Sequence, residues 1–196
     1  IKTINDDILN IEKYKISNIN TIVHFANIAN DPTSLLDPKL SWETNVLASM
    51  FVCEFALKNK IKNIIYFSSG SVYGISKSKN VTENHPLNPI SDYNKSKMIS
   101  EKVFESYRSR LNINIVRPAT VCGLSNRLRL DVSVNLMTYA AFKNKKIIVH
   151  GGKQVRPNIN IQDLIRIVYF LINKNIKNKT INAGFENLKL IDLAKI

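Results

Sequence analysis

Residues 61–97 read I-K-N-I-I-Y-F-S-S-G-S-V-Y-G-I-S-K-S-K-N-V-T-E-N-H-P-L-N-P-I-S-D-Y-N-K-S-K, and the fold is decided in this stretch. The apolar run from Ile64 to Phe67 stops at hydroxyls and glycines, as a buried strand does where it leaves a sheet. A polar loop follows, and then Tyr93 and Lys97 stand at i and i+4. On a helix that spacing puts the phenol and the ammonium on one face, within reach of one reactant. Ser69, at the strand end, supplies a hydroxyl to the same place. Such a trio can move a proton on or off a carbinol or carbonyl oxygen, because a cation beside Tyr93 favours the phenolate and lowers its pKa from about 10.

Ser68-Ser69-Gly70-Ser71-Val72-Tyr73-Gly74, joined to Tyr93-x-x-x-Lys97, resembles the strand end and helix of an extended short-chain dehydrogenase/reductase. The likeness is to the NAD-dependent nucleotide-sugar epimerase/dehydratase group. A lone Tyr-x-x-x-Lys occurs often by chance; the strand end at the right distance makes the pair specific. The resemblance implies an α/β, Rossmann-like, doubly wound parallel sheet with a small C-terminal substrate lobe. It implies a partial NAD-binding domain over 1–123, regaining a strand near 180–184, and a substrate-binding lobe over 124–196. NAD is the implied cofactor, with NADP the alternative, and a nucleotide sugar is the implied substrate.

Bulk properties agree with such a chain. A length of 196 residues buries a real core, and 44% apolar with 22% charged residues is ordinary for a globular protein. The sequence holds no apolar run of the roughly eighteen residues that a membrane helix needs. Cys53 and Cys122 make neither a disulfide framework nor a metal site, and His24, His85 and His150 stand apart, so no metal is expected and a cytoplasmic setting is. A net charge of +13 suggests nucleic acid, but the lysines are scattered beside Asn and Ile with no Arg-rich block. Nucleic acid is therefore not expected as a partner, whereas a homodimer is expected for the full-length protein.

Further matches assign residues one by one. Residues 1–8 resemble the family strand that ends in Asp-Ile, which implies that Asp7 meets the adenine; Asp7 also suits a helix N-cap before Ile8. Thr21 to Asn27 reads as a strand covered on both faces, with Phe25 and Ala26 lying against the cofactor and His24 buried. Asp37-Pro38 opens a loop before a helix over 39–58, with Leu40, Val46, Leu47, Met50, Phe51 and Phe55 as its apolar stripe and Trp42 packed in the core. Asn45 matches the family's helix asparagine beside the cofactor, a support for the site. A helix over 93–108, capped by Ser91 or Asp92, turns Met98, Val103 and Phe104 inward.

The segment Ile113 to Gly123 matches the strand that holds the nicotinamide end. There Pro118 is the implied carboxamide partner and Thr120 the side chain toward substrate. Asn135 stands at a helix start that suits a diphosphate. Ile147 to Val149 reads as a strand whose glycine turn delivers Arg156 to that diphosphate, as a planar charged fork should be delivered. Arg127 is a second candidate. Asp163 is expected to cap a helix over 164–173, Thr180 to Gly184 resembles the late family strand, and 191–196 reads as the start of a helix.

Two departures matter. No G-x-x-G-x-x-G turn occurs in the sequence, so the chain reads as an internal fragment and is expected to bind NAD poorly as it stands. The family's 4,6-dehydratases follow the catalytic hydroxyl with Asp-Glu, whereas Ser69 is followed by Gly70-Ser71, which cannot supply that acid and base. The resemblance therefore implies an isomerase, a 4-epimerase acting by transient oxidation, with a net reductase or dehydrogenase and then a non-catalytic cofactor-sensing protein as rivals. Ser69, Tyr93 and Lys97 are the expected catalytic residues.

Overall fold

Three apolar runs lie side by side as parallel strands: β1 (Thr21–His24), β2 (Asn63–Phe67) and β3 (Asn112–Pro118). Their register aligns Thr21 with Asn63 and Asn63 with Asn112, so the strands start level. The computed structural model describes residues 3–78 and 80–196, and a later strand, β6 (Thr180–Ala183), borders β3. The order β1-β2-β3-β6 is the sheet that the Ile- and Val-rich runs predict, since strands covered on both faces need no polar alternation. By contact the chain divides into two units, Ile1–Arg117 with Leu171–Ile181, and Pro118–Phe170 with Asn182–Ile196.

In the first unit, one face of the sheet packs on α3 (Ala48–Lys58) and α4 (Asp92–Ser106). Val52, Phe55, Ile64, Tyr66, Phe104, Ile113 and Ile115 make that core. Phe104 lies 4.4 Å, ring to ring, from Tyr66. Truncating a ring buried to this degree costs about 3–5 kcal/mol.

The starts of the strands are stapled by amides. The Asn63 side chain donates to Asn20, and Asn112 Nδ2 donates to Asn63 Oδ1 at 2.7 Å and to the Ile176 carbonyl at 3.0 Å. Asn178 Oδ1 accepts from Ile113 N, and Asn112 Oδ1 accepts from Asn178 N, each at 2.9 Å. A cavity of about 870 Å³ opens at this end, lined by Asn20, Lys62, Arg108 and Asn178 among others. It lies at the end of the strands opposite Ser69, and the amides of Asn63, Asn112, Asn114 and Asn178 in its lining are already paired, so its size does not mark the site.

Several sequence expectations are corrected. Residues 3–5 form no strand; Ile1 and Lys2 lie outside the described residues. The helix expected over 39–58 is present, beginning with α2 (Pro38–Trp42), which Asp37 caps by accepting from Leu40 N at 2.9 Å, but a further helix, α1 (Asp31–Leu36), precedes it. Between α2 and α3 the chain takes a π turn, Glu43–Leu47. The turn shifts the helix phase, and α3 buries Ala48, Ser49, Val52 and Phe55, whereas Leu40, Leu47 and Met50 of the expected stripe are exposed. Trp42 is exposed too, at 36%.

On α4 the cap is Ser91, whose hydroxyl accepts from Asn94 N at 3.2 Å. Its buried face is mostly polar: Asn94, Ser96, Lys97, Ser100 and Glu101 join Phe104 there.

The second unit has its own sheet. β4 (Thr120–Cys122) pairs in parallel with β5 (Val155–Asn160), and β5 pairs antiparallel with β7 (Glu186–Lys189), a strand the sequence did not announce. No strand forms over 147–149; β5 starts later and carries Arg156 itself. α5 (Ser133–Asn144) ends on Lys145 in the left-handed region, φ 53°. The first turn of α6 (Ile161–Asn173) is served by Asn160, whose Oδ1 accepts from Gln162 N at 2.8 Å. Asp163 instead pairs with Arg166 at 2.8 Å. A short α7 (Leu190–Leu193) follows β7.

Candidate active site

The C-terminal end of β2 and the first turns of α4 are tied together twice. Lys97 Nζ, on a residue 4% exposed, donates to the Phe67 carbonyl at 2.7 Å, two residues before Ser69. Ser71 donates its hydroxyl to Asn94 Oδ1, one residue after Tyr93. Ser69 caps the 3-10 turn Gly70–Tyr73 by accepting from Ser71 N at 3.2 Å, and its hydroxyl lies 2.7 Å from that of Ser71. The strand-end serine and the Tyr93/Lys97 face thus belong to two elements clamped on either side of the hydroxyl cluster. Tyr93 is half-buried.

Burial pushes the Lys97 ammonium down to about 7, with the Glu101 charge pulling the other way. The cation also lies 5.1 Å from the centre of the Tyr66 ring. His24 is 3% exposed, and its ring lies 5.8 Å from that of Tyr66 and 5.9 Å from that of Phe104. Burial first, and Lys97 second, hold its pKa down to about 4. It is the buried strand residue the sequence predicts, but Nε2 has no hydrogen-bond partner among the described residues.

Asn45 sits in the π turn, fully buried, and grips two neighbours. Its Oδ1 accepts from Ile28 N at 2.8 Å, while Nδ2 donates to the Ile28 carbonyl at 3.2 Å and to Ser96 Oγ at 2.9 Å. The Asn45 carbonyl accepts from Ser49 and Ser100, each at 2.7 Å. These bonds fix the chain after β1 against the helix that carries Tyr93 and Lys97.

A second network was not foreseen. Arg117, at the end of β3, forms a two-pronged pair with Glu101, at 2.9 and 2.6 Å, with both side chains at most 5% exposed. Burial alone would lower the Arg117 pKa, but the Glu101 carboxylate outweighs it and the value is raised. The same guanidinium donates to Tyr73 Oη at 2.7 Å and to the Glu83 carbonyl at 3.1 Å, pinning the 70–73 turn and the loop after it. Gly74 closes that turn at φ +66°, and a Cβ there would collide with the Asn88 carbonyl. The signal was present: Tyr93, Lys97 and Glu101 recur every four residues, on one helical face.

The remaining candidates are placed as follows. Asp7 is exposed, and its Oδ1 accepts from Leu9 N at 2.9 Å, the cap alternative. Phe25 is 58% exposed and stacks on Phe67 with ring centres 4.2 Å apart; Ala26 is exposed beside it. In the second unit, Pro118 and Thr120 are half-buried. Asn135 spends its amide internally, accepting from Gly123 N and donating to the Arg129 carbonyl, each at 3.0 Å. Arg156 donates to Gln154 at 3.3 Å, and Arg127 is exposed. Among the described residues no group of three or more His, Cys, Asp or Glu forms a metal cluster, and no helix is long and apolar enough to cross a membrane.

A Rossmann-type parallel sheet, followed after its second strand by a helix bearing Tyr-x-x-x-Lys, defines a class, that of the extended short-chain dehydrogenase/reductases. Within it the chain belongs to the NAD dependent epimerase/dehydratase family, whose model matches residues 3–184. It is 31% identical over 166 residues to the N-acetyl-alpha-D-glucosaminyl-diphospho-ditrans,octacis-undecaprenol 4-epimerase of Escherichia coli O157:H7, covering 82% of this chain and 45% of that one. It is 26% identical over 196 residues to the dTDP-D-glucose 4,6-dehydratase of Dictyostelium discoideum, covering 90% of this chain and 44% of that one. Among solved structures it is similar to a Tyr-to-Phe mutant of UDP-glucuronic acid 4-epimerase from Bacillus cereus, in complex with UDP-4-deoxy-4-fluoro-glucuronic acid and NAD. There the identity is 28% and the TM-score 0.85, over 98% of this chain and 64% of that one. The chain thus spans about half the length of the curated relatives it matches.

Proposed function

We propose that the full-length protein interconverts the 4-epimers of a nucleotide sugar through a transient 4-keto form, with NAD as its bound cofactor. The observation that carries this reading is the double clamp of β2 onto α4, which brings Ser69 and the Tyr93/Lys97 face to one strand end. That strand end suits a dinucleotide. Ser68 Oγ and Asn27 Oδ1, following neighbouring parallel strands, are buried without partners among the described residues. Ligands of such sheets bind outside the carboxyl ends of the strands. Lys97 would hold the nicotinamide ribose, since an ammonium has three donors. Phe25, Ala26 and Pro118 would lie against the nicotinamide half and Asp7 against the adenine. When bound, NAD supplies the acceptor, and afterwards the donor, of the hydride.

The chain's own groups handle the proton. Tyr93 takes it from the C4 hydroxyl and returns it, Ser69 holds that oxygen, and the Lys97 charge keeps Tyr93 acidic. Asn135, Arg156 and Arg127, with Thr120, are the proposed holders of the nucleotide diphosphate and sugar. Epimerisation is favoured over elimination because Gly70 and Ser71 stand where a dehydratase needs an acid and a base, and the Ser71 hydroxyl is given to Asn94. A homodimer of the full-length protein belongs to the same proposal, and its mass in solution tests it.

The deciding experiment offers the full-length protein UDP-, GDP- and dTDP-hexoses with NAD. One of them is expected to reach an equilibrium of 4-epimers without stoichiometric NADH. Stoichiometric NADH would instead identify a net dehydrogenase. Tyr93→Phe is expected to lower turnover by about three powers of ten, and near-normal turnover in that variant would overturn the assignment.

A further inference from the structure

A buried phenol beside a buried amine has two forms that differ only in where one proton sits. Phenol with amine is neutral, phenolate with ammonium is an ion pair, and burial favours the neutral form. Only the ion pair can take a proton from a substrate hydroxyl, so something beyond Tyr93 and Lys97 has to tip the balance.

The groups facing Lys97 narrow the choice. From β2, the Phe67 carbonyl accepts one of its three hydrogens at 2.7 Å and the Tyr66 ring centre lies 5.1 Å from Nζ; both favour the ammonium without carrying charge. From β1, His24 is kept neutral near pH 7 by burial. From β3, Arg117 is a cation and works against a second one, as does Arg108 just past α4. From α4 itself comes Glu101, one turn after Lys97 and fully buried. Apart from the phenolate, it is the one anion in this set. Burial pulls the Lys97 proton off, and the Glu101 charge holds it on.

Place along the helix makes the effect selective. Residues four apart are roughly 6 Å from each other and residues eight apart roughly 12 Å, so Glu101 is nearer to Lys97 than to Tyr93. A proton passing from Tyr93 to Lys97 therefore moves towards an anion. At an effective dielectric of about 20 the difference is worth about tenfold in the proton's position, less what the Arg117 charge cancels. Arg117 is still needed, since its two hydrogens, at 2.9 and 2.6 Å, let a carboxylate with no water around it stay ionised.

We propose that Glu101 is a positioning residue for the catalytic proton: its carboxylate, held by the Arg117 fork, keeps Tyr93 and Lys97 as phenolate and ammonium. This rests on the epimerase reading for the roles of Tyr93 and Lys97, and adds a residue to which that reading gives none.

Glu101→Gln keeps the shape and removes the charge. In the full-length protein, with the hexose nucleotide that it turns over, the bell of kcat/KM against pH is expected to move about one unit to lower pH and to lose about fivefold in height. A residue that only braces the helix would change the height in place. Arg117→Lys is that control: it breaks the fork but keeps both charges, and its bell is expected to drop without moving by more than about 0.2 unit. Should Glu101→Gln fail to fold, Glu101→Leu/Arg117→Met buries no charge from the pair, and its bell is expected to move about half a unit to lower pH. The Nζ resonance of isotope-labelled lysine, assigned with Lys97→Met, follows Lys97 without any sugar nucleotide and is expected to titrate lower by the same amounts. The proposal is overturned if Lys97 of the double variant titrates within about 0.2 unit of the unaltered protein, or if either variant lacking Glu101 shifts to higher pH. It is overturned too if the bell of Arg117→Lys moves as far as that of Glu101→Gln. If no hexose nucleotide turns over, the reading of function fails, while the Lys97 titration still decides whether Glu101 holds its proton.

Discussion

The two ends of the parallel sheet in the first unit treat their polar groups in opposite ways. Where the strands begin, Asn20, Asn63, Asn112 and Asn178 bond to one another and to backbone, while Arg108 Nε is buried without a partner among the described residues. Where the strands end, Ser68 Oγ, Asn27 Oδ1 and His24 Nε2 are buried and lack partners among the described residues, and Lys97 is buried with its charge disfavoured. An unpaired buried polar atom costs about 1–3 kcal/mol, so the second end is a stability deficit that the first end and the apolar core offset. That asymmetry separates a scaffold from a place prepared for a ligand better than cavity size does, since the 870 Å³ cavity lies at the paired end.

The sharpest way to break the comparison is Glu101→Ala. It strands Arg117 as a buried, unpaired charge and is expected to cost about 3–5 kcal/mol in urea unfolding, the largest stability effect of the set. A loss below about 1 kcal/mol would mean that water reaches the pair. At the paired end, Asn112→Ala removes a bond to Asn63 and one to Ile176 and leaves Asn178 N without its acceptor. About 1–3 kcal/mol of stability should go, with kcat of the full-length protein unchanged. Ser68→Ala at the other end should have the opposite sign, raising the stability of the ligand-free protein by up to about 1 kcal/mol.

The last effect is a pH dependence. His24 and Lys97 bind protons less readily folded than unfolded, so the unfolded chain holds more protons between the two pKa values of each group. Stability should therefore rise with pH from about 4 to 6.5 through His24, and again from about 7 to 10.5 through Lys97. Thermal melts across that range should show both slopes, and His24→Gln should remove the lower one alone.

How far the sequence could be read follows from the same asymmetry. β1, β2 and β3 were legible because strands covered on both faces are continuous apolar runs, and the Ser69 strand end and Tyr93-x-x-x-Lys97 were legible from type and spacing. The buried face of α4 was not. Apolar periodicity pointed to Met98, Val103 and Phe104, and of these only Phe104 is fully buried; the helix otherwise buries Asn94, Ser96, Lys97, Ser100 and Glu101, whose bonds depend on residues distant in sequence, such as Asn45 and Arg117. Trp42 looked like core by composition, but it ends α2, ahead of the π turn, on a position left exposed. The sheet of the second unit hid for another reason. Glu186–Lys189 is largely exposed and shows no apolar alternation, while Ile147 to Val149 shows an apolar run with no strand partner.

The π turn at Glu43–Leu47 sets a limit for anyone who would stabilise this protein by straightening it. Such a turn accommodates one residue more than an α-helix would. Deleting a residue there would tidy the backbone and swing one flank of the helix by about 100° relative to the other. Asn45 would then lose Ile28, or Ser96, or both. A chain improved by every local measure would arrive with its hinge pin facing the wrong wall.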